Sequence, residues 1–119
     1  MHQKFINEIV KFFFTLQILN KVYHWNTNLY ARHIATDKFN SNLLSLTDKF
    51  VEVFIGRYKI KPVITNIYIN SFDDNEIVSL FEDSKKYLEN IKISDSDLLN
   101  IRDELLSEIN QTLYLFTLR

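Results

Sequence analysis

Cysteine is absent from this 119-residue chain, and glycine and proline occur once each, as Gly56 and Pro62. With no thiolate to offer, the chain can hold neither a disulfide framework nor a cysteine zinc site, and thiol catalysis is excluded. One glycine cannot build the Gly-rich turns that bring backbone against phosphate, so a P-loop and a dinucleotide-binding fingerprint are excluded as well. An excess of either charge is also missing, since 14 basic residues stand against 15 acidic ones and the formal net charge is -1. Nothing global therefore draws the chain to nucleic acid or to an anionic membrane. Long apolar runs are lacking too. The longest, Ile9 to Leu19, is interrupted by Lys11, Thr15 and Gln17 and falls short of the roughly 20 residues a spanning helix needs. With no export signal or lipidation motif in view, the chain reads as soluble, and the cytoplasm is the expected compartment.

What is present is apolar and aromatic. Hydrophobic residues make up 46% of the chain and aromatics 14%, with ten Phe and six Tyr, enough to fill a core and too much for disorder. A chain of this length holds one core, so residues 1–119 are expected to form a single domain.

The two strongest breakers, Gly56 and Pro62, fall close together, leaving about half the chain on either side free to run as long helices. The first helix is predicted over about residues 3–25, ending at the polar turn Asn26-Thr27-Asn28, and the second over about 29–55, stopped by Gly56. A long connection, Arg57 to Phe72, follows. Its β-branched residues Val63, Ile64, Thr65, Ile67 and Ile69 suggest a strand, but a lone strand has nothing to pair with, so the segment is read as a crossover. Asp73 and Glu76 form an Asp-x-x-Glu capping signal that opens a third helix running to about Ile91, with Ile77, Leu80, Phe81, Tyr87, Leu88 and Ile91 at helical spacing. Ser94 and Asp97 repeat the device for a fourth helix, about 95–117, striped by Leu98, Ile101, Leu105, Ile109, Leu113 and Phe116. Two tight helical hairpins joined by a long crossover between the second and third helices are the connectivity of a ferritin-like four-helix bundle, and the fold class is all-α.

The second helix has more apolar surface than one core needs. On a wheel, Ala35, Phe39, Leu43, Leu46, Phe50, Val53 and Phe54 form the core sector. A second sector carries Tyr30, Leu44, Val51 and Ile55 interleaved with His33, Asp37, Asp48 and Glu52, and a narrow strip of Lys38, Asn42, Ser45 and Lys49 is wholly polar. A monomeric bundle has nothing left to cover the second sector, so a second copy of the chain is the expected partner. His33 and Asp37 are one turn apart, as are Asp48 and Glu52, and the pairs are separated by about 16 Å along the helix. One metal cannot use both pairs within one helix. If two copies of the helix cross antiparallel on a two-fold axis, facing residues have a constant sum of numbers, and 33 + 52 and 37 + 48 both equal 85. Each of two equivalent sites then gathers one imidazole and three carboxylates, a hard set suited to iron, manganese or, less well, zinc. His24, beside the turn, is placed to add a second imidazole. Taken singly, acidic i, i+4 pairs and a histidine near a helix end are common in helical proteins, and Trp25 reads as a core residue. Their coincidence on one half-apolar face is what points to a site, because unpaired carboxylates in such a seam are costly.

The stretch His24-Trp25-Asn26, then His33-x-x-x-Asp37, Asp48-x-x-x-Glu52, Gly56 and Pro62, resembles the Dps-like branch of the ferritin superfamily, the mini-ferritins. It is also similar to small uncharacterised phage and large-virus proteins with a His-Trp-x-Thr, His, Asp-x-x-x-Glu pattern and a Tyr-Leu-x-x-Leu stretch like Tyr114 to Leu118. The resemblance implies a ferroxidase centre shared across a two-fold interface, with Asp48 and Glu52 of one subunit holding iron together with His24 of the other. Glu52 would bridge towards a second, weaker site near His33 and Asp37. It also implies oxidation of ferrous ions, preferably by peroxide, and storage of ferric mineral in a shell of such dimers. If the chain is viral, the compartment is the host cytoplasm.

The larger ferritin-like enzymes, which build a di-iron site from Glu-x-x-His motifs, are not matched, because Lys21 and Tyr30 stand three residues before His24 and His33. No His-Glu-x-x-His zinc motif occurs either. Two other functions compete with the metal reading. One is a helical dimer acting as an interaction or assembly module, and the other is a nucleic-acid role for Arg57, Tyr58, Lys59 and Lys61, which read more simply as solvated surface.

Overall fold

Four helices and no strands make up the computed structural model, which describes residues 1–119: α1 (His2–Asn26), α2 (Tyr30–Tyr58), α3 (Glu76–Glu89) and α4 (Ser96–Leu115). At 1.5 Å per residue a helix of α2's length spans about 43 Å, and the molecule measures 44 × 28 × 21 Å, so α2 runs its full length. The turn between α1 and α2 is short because the backbone N–H of Thr27 closes onto the Tyr23 carbonyl at 2.9 Å and its hydroxyl accepts from Leu29 N–H at 3.2 Å. That forces α2 antiparallel to α1.

Contacts at the two ends define the rest of the topology. At one end Tyr58, in the last turn of α2, meets Asp95 just before α4, so α2 and α4 are antiparallel neighbours. At the other, Tyr23 near the end of α1 donates to Asp74 just before α3 at 2.7 Å, so α1 and α3 are antiparallel neighbours. The chain between α2 and α3 must therefore travel from one end of the bundle to the other. It is held against α1 on the way, where Gln3 donates to the Lys61 carbonyl at 2.9 Å and Val63 N–H to Asn7 Oδ1 at 2.7 Å, while Ile60, Ile64 and Phe72 pack on the core. The result is a four-helix bundle with a long crossover, and its β-branched run forms no strand.

Phenylalanine fills the middle. Phe13, Phe39, Phe50, Phe54 and Phe81 are at most 1% exposed, and full burial of such a side chain contributes roughly 1.5–3 kcal/mol each. The expected core residues of α2 are placed inward, with Ala35, Phe39, Leu43, Phe50 and Phe54 buried and Leu46 and Val53 packed at the edge.

Four local expectations are corrected. Gly56 does not stop α2, which continues to Tyr58 and ends at Lys59, in the left-handed conformation with φ 59°. Ser94 and Asp97 do not form a second capping box, because Asp95 occupies the cap position and its carboxylate is turned to Tyr58 and Arg57 instead. Trp25 is not a core residue but is 67% exposed, with the Lys21 amine 5.5 Å above its ring. Asn42 is not wholly given to solvent, since it donates to Glu108 of α4 at 2.9 Å. The Asp73–Glu76 box, by contrast, is fully made, with Glu76 N–H donating to Asp73 Oδ1 at 2.8 Å and Asp73 N–H to Glu76 Oε1 at 3.0 Å.

Candidate functional site

His24 lies in the last turn of α1 and His33 three residues into α2, so the tight turn folds them towards each other. Their rings stack with centroids 4.0 Å apart and planes 15° from parallel. The nine-residue interval between them is thus enough to bring the two imidazoles together. His24 is buried and His33 is half-buried. Burial, then the neighbouring His33, lowers the His24 pKa from its ordinary value, so the ring is neutral at pH 7.

Both rings are fixed through Nδ1. The Nδ1 of His33 is 2.9 Å from the His24 carbonyl oxygen, and a carbonyl can only accept, so that nitrogen carries the proton. The Nδ1 of His24 is 3.0 Å from the hydroxyl of Thr36. In each ring Nε2 is the nitrogen left for a ligand. Two nearly parallel rings 4.0 Å apart cannot both hold one ion in their planes, since a metal sits about 2 Å from an imidazole nitrogen in the ring plane. In this arrangement they suit two neighbouring ions, or one ion on one ring.

A polar frame holds this end of the bundle. Buried Asn20 donates to the Thr36 carbonyl at 3.0 Å and the Thr36 hydroxyl is 2.7 Å from the Arg32 carbonyl. The Arg32 guanidinium donates to Tyr23 Oη, to the Asp74 carbonyl and to the Phe116 carbonyl, and lies 4.9 Å from the Phe116 ring centre. Asp74 Oδ1 accepts from Tyr23 and from Thr27 at 3.0 Å. One half-buried arginine thus ties α1, α2, the start of α3 and the end of α4 around the histidine pair. None of Asn20, Arg32, Thr36 or Asp74 is foreseeable from motif spacing, because each acts through a contact that only the folded turn creates.

The carboxylates are arranged differently. Asp37 is exposed one turn beyond His33, close enough for its charge to favour protonated His24 weakly. Asp48 and Glu52 are exposed in the lower half of α2, about 16 Å further along the axis. Within one chain no group of three or more His, Asp or Glu side chains comes together to hold a metal. His24 and His33 meet at one end of the chain's helical hairpin with Asp37 one turn further along α2, and Asp48 and Glu52 lie apart from them.

Between the two groups the second apolar sector is only partly covered. Pro62 and Ile64 of the crossover border the same groove of about 500 Å³ as Val51, Phe14, Leu44 and Asp48, which corrects the expectation that the bundle has nothing to place beside this sector. Tyr30 and Leu44 stay 76% and 51% exposed, and Ile34 is 50% exposed beside them. Tyr30, Ile34, Leu44, Val51 and Ile55 follow one stripe along α2 in which the pairs 30 and 55, and 34 and 51, again sum to 85. No helix is long and apolar enough to cross a membrane.

Residues 24–116 match the model of a family of unknown function, DUF5856. The chain belongs to this family. The matched span opens at His24 and contains all five candidate ligands, His24, His33, Asp37, Asp48 and Glu52. No curated protein and no solved structure matches the chain.

Proposed function

We propose that this protein is a ferritin-like, Dps-type iron oxidase working as a homodimer, in which ferrous ions are the substrate and two equivalent sites form between antiparallel copies of α2. The observation that carries the reading is the stacked His24–His33 pair, with both Nδ1 atoms tied to the protein and both Nε2 atoms left for ligands. On the constant-sum register, the partner's Asp48 and Glu52 approach the end of the hairpin where His24 of α1 meets His33 and Asp37 of α2, and supply the oxygen ligands that one chain alone does not bring there.

In this arrangement His24, Asp48 and Glu52 hold one ion, while His33 and Asp37 hold a second that Glu52 bridges. Neutral imidazoles and ionised carboxylates bind ferrous iron and bind the ferric product more strongly, which lowers the cost of losing an electron. Two ions side by side match a two-electron oxidant: two ferrous ions give one electron each to hydrogen peroxide, which with two protons leaves as two waters. The oxidant is thereby reduced fully at the protein, without releasing hydroxyl radical. Manganese or zinc would occupy the same ligands without being the substrate. Assembly of the dimers into a mineral-storing shell belongs to the same proposal, as does a cytoplasmic location.

A second reading, a helical dimer used as an interaction or assembly module, draws on the exposed Trp25, Tyr30 and Ile34. Anaerobic titration with ferrous iron followed by peroxide separates the two. Glu52→Ala should be the most damaging change and His33→Ala and Asp37→Ala should weaken mainly the second site. Mixing Glu52→Ala with His24→Ala subunits should restore one intact site per heterodimer. Unchanged iron oxidation in both single variants would remove the metal reading in favour of the module.

A further inference from the structure

The Thr36 side chain is 0% exposed, and its hydroxyl touches three groups, the carbonyls of Arg32 and His33 at 2.7 and 3.2 Å and the Nδ1 of His24 at 3.0 Å. A hydroxyl has one hydrogen, and carbonyl oxygens only accept. At 2.7 Å from the Arg32 oxygen the hydrogen must lie on that contact, because two bare oxygens at this distance repel. The hydroxyl therefore meets His24 as an acceptor, and His24 Nδ1 carries the proton. Buried Asn20, bonded to the Thr36 carbonyl, holds this residue in register.

We infer that Thr36 is a positioning residue that sets His24 in the tautomer with Nε2 bare, so that the ring faces an incoming metal as a ready lone-pair donor. This rests on the metal reading for its purpose, though not for its geometry. Without the hydroxyl, a buried Nδ1–H would lose its partner, and the ring would place its proton on Nε2, where a metal must bind. His33 needs no such residue, because the His24 carbonyl alone dictates its tautomer.

Long-range proton–nitrogen NMR correlation of the metal-free protein reads the two tautomers directly. The native protein and Thr36→Ser should show Nδ1-protonated His24 and His33. The near-isosteric Thr36→Val should move His24 to the Nε2-protonated form and leave His33 unchanged, with an unaltered circular dichroism spectrum. Cobalt(II) binding should then weaken 10- to 100-fold in Thr36→Val and recover in Thr36→Ser. Nε2-protonated His24 in the native protein, or an unshifted tautomer in Thr36→Val, would overturn the inference. Because the tautomers are recorded without metal, an absence of cobalt binding in the native protein would overturn the metal reading while the role of Thr36 in setting the ring stands.

Discussion

Tyr58 and Asp95 join the end of α2 to the start of α4 through a hydrogen bond from phenol to carboxylate. The other oxygen of Asp95 faces Arg57 Nε at 2.9 Å. The carboxylate that would otherwise cap α4 is thereby spent on a tertiary contact, and the phenol, followed by the guanidinium, holds it below its ordinary pKa.

Two separate pH windows follow. His24 has a lowered pKa, so the folded state resists its protonation. Its contribution is complete above the unfolded value of about 6.5 and is lost as pH falls below it. Asp95 is depressed, so its contribution is complete above the usual Asp value of about 3.9 and is lost as pH falls towards its lower folded value. Urea midpoints measured from pH 8 to pH 2 should fall in these two windows. His24→Gln should flatten the first and Asp95→Asn the second.

Gly56 is an exposed residue inside α2, with no positive φ and nothing within 4 Å of the position a Cβ would take. Replacing it with alanine should stabilise the protein by about 0.5–1 kcal/mol, measured by urea denaturation. A loss of stability would show that the backbone freedom of Gly56 is needed.

The capping box that forms and the one that does not offer a paired comparison. Asp73→Ala removes the acceptor for the N–H groups of Asn75 and Glu76 and should cost about 1 kcal/mol. Ser94→Ala removes no capping bond and should change stability by less than about 0.5 kcal/mol. Equal effects in thermal melts would contradict the assignment of these caps.

Leu44, half exposed near the midpoint of α2, tests the association. Leu44→Glu should convert a dimer to the 14.3 kDa monomer in light scattering, because it buries a charge at the crossing point. Lys38→Glu, on the polar strip, should leave the dimer intact. A native protein that is monomeric at micromolar concentration would remove the shared sites.

What could be read from the sequence was what is local. The helical stripes and the Asp73–Glu76 box depend on neighbours within four residues, and they form as spaced. Gly56 misled because a single glycine costs only about 1 kcal/mol in a helix, less than the burial of Phe54 and the contacts of Tyr58 on either side of it. Trp25 misled because Tyr23 and His24 take the buried positions at that end of α1. The meeting of His24 with His33 depends on the conformation of Thr27 to Leu29, and the service of Thr36 depends on that meeting, so neither has a signature in residue spacing. The presence of His24 and His33 on either side of the turn was legible, whereas the orientation of their rings was not.

Arg32 carries one more consequence, for the order in which the molecule is made. Its guanidinium holds Tyr23 of α1, the carbonyl of Asp74 two residues before α3, and the carbonyl of Phe116 just after α4. The first hairpin leaves the ribosome carrying both histidines but with this arginine still short of two of its partners. During synthesis the contact of Arg32 with Phe116 can form only once the fourth helix has emerged, and a nascent chain arrested before Phe116 should present its imidazoles on an incomplete frame.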